Sequence, residues 1–202
     1  MSNSIMSRRV FAGSTAAIAG TFLISALTIS AAPPQAVRGH ADIKGDGIAG
    51  TADFREVDAQ TAGDHDMKYM TGMKAVEITV TVTGLKAGTH GMHLHAIGKC
   101  EAPGFTSAGA HFDPGPAGNG DPDANHPYHM GDLPNLVANA SGKATVKVIT
   151  TRATLGDGPL SLFDTDGTAI IIHANPDEGI TAETKAGKSG GPRAACGVIE
   201  KK

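Results

Sequence analysis

The chain has few large side chains and no long stretch of one charge. Among its 202 residues there are no tryptophans, two tyrosines and six phenylalanines, so small aliphatic side chains must fill the core. The net charge is −3 and there is no basic run, which argues against a nucleic-acid-binding protein. After residue 32 no segment has the pattern of a helix of three turns. Glycine (27) and proline (11) are abundant instead, which favours turns between short elements.

The N-terminal segment has the three-part layout of a secretory signal peptide. Arg8 and Arg9 precede a mildly apolar stretch that ends in small residues at 30–32. The arginine pair adds the twin-arginine pattern of a bacterial export route, and an uncleaved membrane anchor is the alternative. The expected mature protein lies in the periplasm or outside the cell, without stable membrane insertion. The predicted organisation is a signal peptide at 1–32, a linker at 33–38 and one domain at 39–202.

The rest of the chain has the pattern of short β-strands. Ala75–Thr83 alternates apolar and polar residues over its whole length, as expected of a strand with one buried face. Two β-like runs flank the turn Gly45-Asp46-Gly47. Further predicted strands are Gly91–His95, Leu136–Ala140, Ala144–Thr150, Thr168–His173 and Gly197–Ile199. Many short strands joined by turns predict an all-β antiparallel sandwich or barrel. The irregular stretches 98–132 and 175–193 are predicted to be functional loops.

The chain has two cysteines, Cys100 and Cys196. In an exported protein two cysteines most simply form a disulfide, although two buried thiols are the alternative. Closing so long a loop would stabilise the fold by roughly 4–5 kcal/mol in the chain-entropy model.

Histidines are frequent, with nine in the chain. His93 and His95 are two positions apart on a predicted strand, so both side chains project from the same face. Paired imidazoles of this kind suit copper or zinc. Four more histidines lie in glycine-rich or strand-end settings, namely His111, His126, His129 and His173. A set of six in such positions is hard to explain without a metal.

The stretches around these histidines resemble the copper/zinc superoxide dismutases, in their secreted bacterial form. The matching segments, in the family's order, are GMHLHAIGKC (91–100), GAHFDP (109–114), HMGDLPNL (129–136), IIHANPDEG (171–179) and GGPRAACGVI (190–199). The resemblance covers roughly residues 39–199. It implies an eight-stranded Greek-key β-barrel, and dismutation of superoxide to oxygen and hydrogen peroxide.

The resemblance also implies a role for individual residues. His111 would bridge copper and zinc and supply a proton, and Arg193 would guide the anionic substrate. Asp177 would link ligand histidines of the two metals, and Cys100 and Cys196 would form the family disulfide. The implied copper ligands are His93, His95, His111 and His173, and the implied zinc ligands include His111, His129 and Asp132. Lys185 and Lys188 fall in the loop that forms the family's substrate funnel, although ordinary solvated charges are an equal alternative.

One zinc position departs from the family pattern. Where the family places its remaining zinc histidine, this chain has Asn119. His126 is expected to replace it from a different loop path. The alternatives are that Asp121 or Asp123 binds the zinc, or that the zinc site is weakened or absent.

Two functions from different classes follow from these residues. The first is a superoxide dismutase that holds one copper and one zinc per chain, bridged by His111. The alternative is a non-catalytic copper-binding protein on the same fold, for storage or delivery, which would not need Arg193. A homodimer is a further expectation. The methionine-rich stretch His65–Met73 could capture Cu(I), although a loop whose methionines pack on the barrel is the favoured interpretation.

Overall fold

A computed structural model of the chain describes residues 36–61, 70–115, 121–124 and 126–202. The predicted signal peptide, linker residues 33–35, most of the His65–Met73 stretch and Asn119 lie outside the described residues. Within the described part of the chain, no helix is long and apolar enough to cross a membrane.

The described residues form β-structure with two short 3-10 helices, at Ala59–Thr61 and Thr106–Ala108. The strands, numbered in chain order, are β1 (Arg38–Gly45), β2 (Ala49–Asp58), β3 (Lys74–Thr83), β4 (Gly88–His90), β5 (Met92–His95), β6 (Leu136–Ala138), β7 (Ala144–Thr150), β8 (Ala169–His173), β9 (Arg193–Val198) and β10 (Glu200–Lys201).

The strands pair antiparallel throughout the described part of the fold. The main sheet has the order β5-β8-β9-β1-β2-β3-β7, with β10 beside β1, and β4 pairs with β6 in a second small sheet. Because β5 lies beside β8 and β1 beside β9, strands distant in sequence meet through long connections. The all-β antiparallel fold predicted from the sequence is confirmed.

The strand periodicity explains where the core lies. In β3 the side chains of Val76, Ile78, Val80 and Val82 are buried, and most of the residues between them face outward. Fully burying each such side chain stabilises the fold by about 1.5–3 kcal/mol. The predicted turn between β1 and β2 is also present, with Gly47 at a φ of 67°, a conformation that glycine adopts without strain.

Strand β8 is buried on both faces. Ile170 and Ile172 pack in the main core, whereas Ala169 and Ile171 pack against a second cluster that contains Phe105 and Cys196. The second cluster belongs partly to residues 96–110, which we call the disulfide loop because Cys100 in it is bonded to Cys196 of β9. The disulfide loop therefore covers the outer face of the strand that ends in His173.

Two strand predictions differ from the structure. A turn joins the predicted strands Leu136–Ala140 and Ala144–Thr150, with Asn139 N donating to Lys143 O at 2.9 Å, but the strands do not pair with each other. The first ends at Ala138 and pairs with β4, whereas the second joins the main sheet. The last long strand, β9, begins at Arg193 rather than at Gly197. Its first residues after Arg193 are alanines, which are weak strand formers, so pairing with β8 decides this boundary rather than local preference.

Candidate metal centre

The first part of the site is built on β5. His93 and His95 lie on the same face of the strand and are fully buried, while Met92 and Leu94 pack on the opposite side in the main core. His111 forms a β-bridge with His95, so its segment runs beside β5. His173 ends the neighbouring strand β8, and its N–H donates to Gly91 O at 2.8 Å.

These four histidines form one group. One ring nitrogen from each of His93, His95, His111 and His173 lies within 4.8 Å of the others, and all four residues are buried. We call them the copper-side group. In His95 and His173 the Nδ1 atom is engaged, with Gly109 O at 3.0 Å and Gly191 O at 2.9 Å respectively. In His93 the engaged atom is Nε2, which lies 2.7 Å from Asp177 Oδ2.

The remaining ring nitrogens of this group are buried without a hydrogen-bond partner. They are His93 Nδ1, His95 Nε2, His111 Nε2 and His173 Nε2. A buried polar atom without a partner costs about 1–3 kcal/mol, so four converging on one point require an explanation. A metal ion that accepts all four lone pairs provides it, and neutral imidazole is a common ligand of copper and zinc.

The electrostatics keep three of these rings, those of His95, His111 and His173, neutral. Burial lowers the pKa of His95 and His173 well below the ordinary value, and neighbouring positive groups add to the effect. Burial also lowers the pKa of His111 to about 4, although its hydrogen bond to Asp132 opposes the shift. Neutral rings have the free lone pairs that metal binding needs.

A second group of side chains shares His111 with the first and is centred on Asp132. We call His111, His126, His129 and Asp132 the zinc-side group. Asp132 Oδ1 is 2.7 Å from His111 Nδ1, and Asp132 Oδ2 is 3.2 Å from His126 Nδ1 and 3.3 Å from His129 Nδ1. Neither of the last two nitrogens makes a hydrogen bond, although both are buried. Three imidazole nitrogens and one carboxylate are a donor set that zinc accepts.

Asp177 connects the two groups. Its Oδ2 accepts from His93 Nε2 at 2.7 Å, and its Oδ1 lies 2.6 Å from His126 Nε2. Burial alone would raise the pKa of Asp177, but the hydrogen bonds from His126 and His93 hold it well below its ordinary value. A charged carboxylate that fixes the outer nitrogen of a ring leaves the inner nitrogen oriented for a metal.

Arg193 lies beside the copper-side group. Its guanidinium donates from Nη1 to Phe105 O and from Nη2 to Gly109 O, and both carbonyls belong to the disulfide loop. Gly109 O also engages His95 Nδ1, so one carbonyl orients the arginine and a histidine. The bond between Cys100 and Cys196 therefore fixes the loop that positions Arg193.

A cavity of about 210 Å³ opens beside this arginine, lined by His173, Lys185 and Arg193 together with residues of both long loops. The second lysine of the predicted funnel differs, because Lys188 Nζ is paired with Glu178 at 2.8 Å. The structure therefore places Lys185, but not Lys188, at the cavity wall.

Two glycines allow loops to pass close to β5 and to His173. A Cβ on Gly131 would collide with the carbonyl oxygen of Leu94, so only glycine fits where this loop crosses β5. Gly190 has a φ of 96°, and a Cβ there would lie 2.7 Å from His173 Cβ. Gly131 is therefore required for the close approach of this loop to β5, and Gly190 for the close approach of its loop to His173.

The comparisons with known proteins agree with this geometry. The family model described as copper/zinc superoxide dismutase (SODC) matches residues 48–199. The chain belongs to this family. Superoxide dismutase (Cu-Zn) of Caulobacter vibrioides is 39% identical over 130 residues, which are 62% of this chain and 71% of that protein. The Deinococcus radiodurans superoxide dismutase (Cu-Zn) is 40% identical over 133 residues, which are 61% of this chain and 69% of the relative.

Solved structures of the same fold are more distant in sequence. A SOD-like protein from Bacillus subtilis is 28% identical with a TM-score of 0.59, covering 79% of this chain and 96% of its own. The clock protein EA4 is 26% identical with a TM-score of 0.61, covering 84% of this chain and 97% of its own. The family's metals, copper and zinc, suit the copper-side group and the histidines around Asp132.

Some residues at this site were not anticipated from the sequence. Asn135 holds the backbone of Asp177 at both ends, donating to its O at 2.8 Å and accepting from its N at 3.0 Å. Arg152 donates to the carbonyls of Pro127 and His129, at 3.1 and 2.9 Å. Neither has a local sequence signal, because each acts on a segment more than 20 positions away.

The alternative zinc ligands Asp121 and Asp123 lie elsewhere. Their carboxylates accept backbone N–H groups of residues 185–189 and are in neither group of candidate ligands found among the described residues. His90 is in neither group, and its two ring nitrogens lie 2.7 Å from the carbonyl oxygens of His173 and Lys86.

Proposed function

We propose that this protein dismutates superoxide, converting two superoxide anions and two protons to oxygen and hydrogen peroxide. One observation carries the proposal: four unpartnered, buried histidine nitrogens converge beside Arg193, which lies at the wall of an open cavity. The curated bacterial relatives named above bear the name of that activity.

The copper-side group would hold copper and the zinc-side group would hold zinc. Bound copper supplies reversible one-electron exchange, which zinc lacks because it has no redox chemistry. His111 belongs to both groups, with Nε2 facing the copper side and Nδ1 facing Asp132. That position makes His111 Nε2 the atom that would take up a proton and deliver it to the peroxide product.

Arg193 would hold the substrate. Its guanidinium is a permanent charge with several donors in one plane, which suits a small anion. Two of its N–H groups are fixed on carbonyls, so the side chain is oriented before the substrate arrives. Burial lowers the pKa of Arg193, but the value starts so high that the group stays charged. Lys185 at the cavity wall would add local attraction for an anion to a protein of net charge −3.

His126 would complete the zinc site in place of the residue at position 119. Its burial, its unpartnered Nδ1 near Asp132 and its Nε2 on Asp177 support this assignment. The organisation proposed for the remainder is a signal peptide at 1–32, a linker at 33–38 and export before the disulfide forms. The predicted homodimer stays a prediction.

The direct test is superoxide consumption by purified protein loaded with copper and zinc. Consumption well above that of the buffer, abolished when chelators remove copper, is the expected result. Consumption no faster than the metal-free control would contradict the proposal and favour the alternative, a copper storage or delivery protein. Arg193 beside the copper-side group argues for the enzyme, because a carrier has no need of a fixed anion-binding arginine.

A further inference from the structure

Asp123 is a buried carboxylate that the proposed reaction does not use. It is 4% exposed, and each of its oxygens accepts a different backbone N–H. Oδ1 accepts from Ser189 N at 2.8 Å, and Oδ2 accepts from Gly187 N at 2.7 Å. Burial alone would raise its pKa, but these donors hold the pKa of Asp123 below the ordinary value. The described hydrogen bonds of this charged side chain to Gly187 N and Ser189 N therefore both go to one loop, residues 187–189.

The same two segments are tied at further points. We call residues 121–124 and 126–132 the zinc-side loop, and residues 174–192 the channel loop. Ala182 N donates to Asp123 O at 3.0 Å, and Lys185 N donates to Asp121 Oδ1 at 2.9 Å. Thr181 Oγ1 donates to the carbonyl of His126. The start of the zinc-side loop thus lies along the channel loop.

The other zinc-side ligands have supports of their own. Asp132 forms a β-bridge with His93. His129 N donates to Asp132 Oδ2 at 2.9 Å, and its carbonyl accepts from Arg152. Among the described contacts, the backbone of His126 itself makes one hydrogen bond, which comes from Thr181, and its ring is held by Asp177 of the channel loop. Arg152 fixes only the carbonyl of the next residue, Pro127. The place of His126 beside Asp132 therefore depends on how the zinc-side loop sits on the channel loop.

We propose that Asp123 is a positioning residue for zinc: its carboxylate fastens the zinc-side loop to the channel loop and so holds His126 at the zinc-side group. The inference rests on the proposed zinc site. It assigns to a residue outside the metal ligands the task that a regular strand performs on the copper side. It also accounts for a ligand that reaches the site from an unusual position in the sequence.

Two substitutions in the same loop give a matched test. In Asp123→Asn the amide keeps one acceptor oxygen but presents its NH2 to a backbone N–H, so one of the two contacts is lost. In the described contacts of its side chain, Asp121 uses Oδ1, which accepts from both Lys185 N and Asp123 N, so Asp121→Asn can keep both hydrogen bonds. The two variants remove the same charge from the same loop. They differ in whether the paired contacts of residue 123 with Gly187 N and Ser189 N, which we call the clasp, are kept.

The measurement is zinc retention against a competing chelator, with copper content determined on the same samples. We expect zinc to bind roughly 10–100-fold more weakly in Asp123→Asn, the usual effect of losing a group that orients a ligand. Asp121→Asn should stay near the parent value, and copper content should be unchanged in both. Equal zinc retention in the parent and Asp123→Asn would overturn the inference while leaving the zinc site intact. A parent protein that binds no zinc would overturn the zinc site itself.

A second measurement needs no variant. If the clasp favours zinc binding, zinc must favour the clasp by the same factor, because coupling between two sites is reciprocal. Adding zinc to copper-loaded protein should therefore slow hydrogen exchange at the Gly187 and Ser189 amides, neither of which belongs to a metal ligand. Exchange that is indifferent to zinc at both amides would overturn the proposal, even if Asp123→Asn failed to fold.

Discussion

The two halves of the metal centre are supported in different ways. On the copper side, His93, His95 and His173 extend from paired strands, and the outer nitrogens of the last two face backbone carbonyls. On the zinc side, His126 lies on a loop, and its outer nitrogen is held by the carboxylate of Asp177. Strands fix ligands through regular pairing, whereas the loop fixes one through scattered side-chain contacts. The copper half should therefore tolerate loss of the zinc half better than the reverse.

The largest effect should come from removing a copper-side ring. His95→Ala deletes one of the four converging nitrogens on β5, so copper should bind more than roughly 100-fold more weakly, beyond the loss typical of groups that only orient a ligand. Superoxide consumption should fall to the buffer rate. Metal analysis and a superoxide assay on the same samples would measure both.

His40→Ala is the matched control, because His40 lies on β1 outside both groups and faces Asp53. It should keep its copper and its activity. Full copper content and full activity in His95→Ala would show that this strand does not carry the metal.

Arg193 tests whether the cavity serves an anion. Arg193→Ala should lower kcat/KM for superoxide by roughly 100-fold, the scale of losing a fixed donor for a developing or bound anion. Arg193→Lys should lose roughly 10-fold, because an ammonium keeps the charge but cannot span the carbonyls of Phe105 and Gly109.

Copper content should be unchanged in both arginine variants, since the guanidinium is not a metal ligand. Activity that is identical in Arg193→Ala and the parent would show that Arg193 does not hold the substrate. The rate of the parent should fall at high ionic strength, and this salt dependence should be smaller in Arg193→Ala. Such a result would show that Arg193 acts through electrostatic attraction.

The copper half of the metal centre and the fold that carries it could be predicted from the sequence more fully than the zinc half. The all-β fold could be predicted from alternation such as that of Ala75–Thr83. The shared face of His93 and His95 could be predicted from the two-residue period of a strand. These are local patterns, and β3 and β5 realise them almost residue for residue. The early start of β9 has no such pattern, because its pairing with β8 is a contact between distant segments.

The zinc half shows where sequence reasoning stops. That another residue should bind zinc in place of Asn119 could be inferred, but His126, Asp121 and Asp123 all remained candidates, and so did a weakened or absent site. The choice depends on loop ties such as Asp123 to Ser189, which join residues 66 positions apart. The supports from Asn135 and Arg152 were missed for the same reason, since a polar residue in a loop gives no sign of a distant carbonyl.

His126 offers the test of the zinc half. His126→Ala should weaken zinc binding by roughly 100-fold, because Nδ1 of His126 faces Asp132 in the zinc-side group. Copper should stay bound, because His126 is not a member of the copper-side group. Metal content after dialysis would measure it. Tyr128→Ala is the control in the same loop, with a side chain that is 70% exposed. One zinc retained per chain in His126→Ala would mean that position 126 is not the ligand.

The last test of the contrast is the pH dependence of stability in the metal-free protein, in which the buried copper-side rings and His126 should respond in opposite directions. Burial lowers the pKa of His111 to about 4, against 6.5 when unfolded, so in that window the unfolded chain binds more protons. Stability should fall as the pH drops from 6.5 towards 4, by roughly 3 kcal/mol from this group. His95 and His173, whose pKa values are also lowered, act in the same direction.

His126 should behave in the opposite way. Burial lowers its pKa, but the nearby carboxylates of Asp132 and Asp177 outweigh burial and raise it to about 9. The stabilising charge is fully present below pH 6.5 and is lost as the pH rises towards 9. Denaturant unfolding of metal-free protein from pH 4 to 9 would measure both limbs. His126→Gln should flatten only the alkaline limb and His111→Gln should reduce the acid limb. If one variant changed the acid and the alkaline parts of the stability curve equally, the two halves would titrate as one unit. The difference between strand-borne and loop-borne histidines would then not appear in the free energy of unfolding.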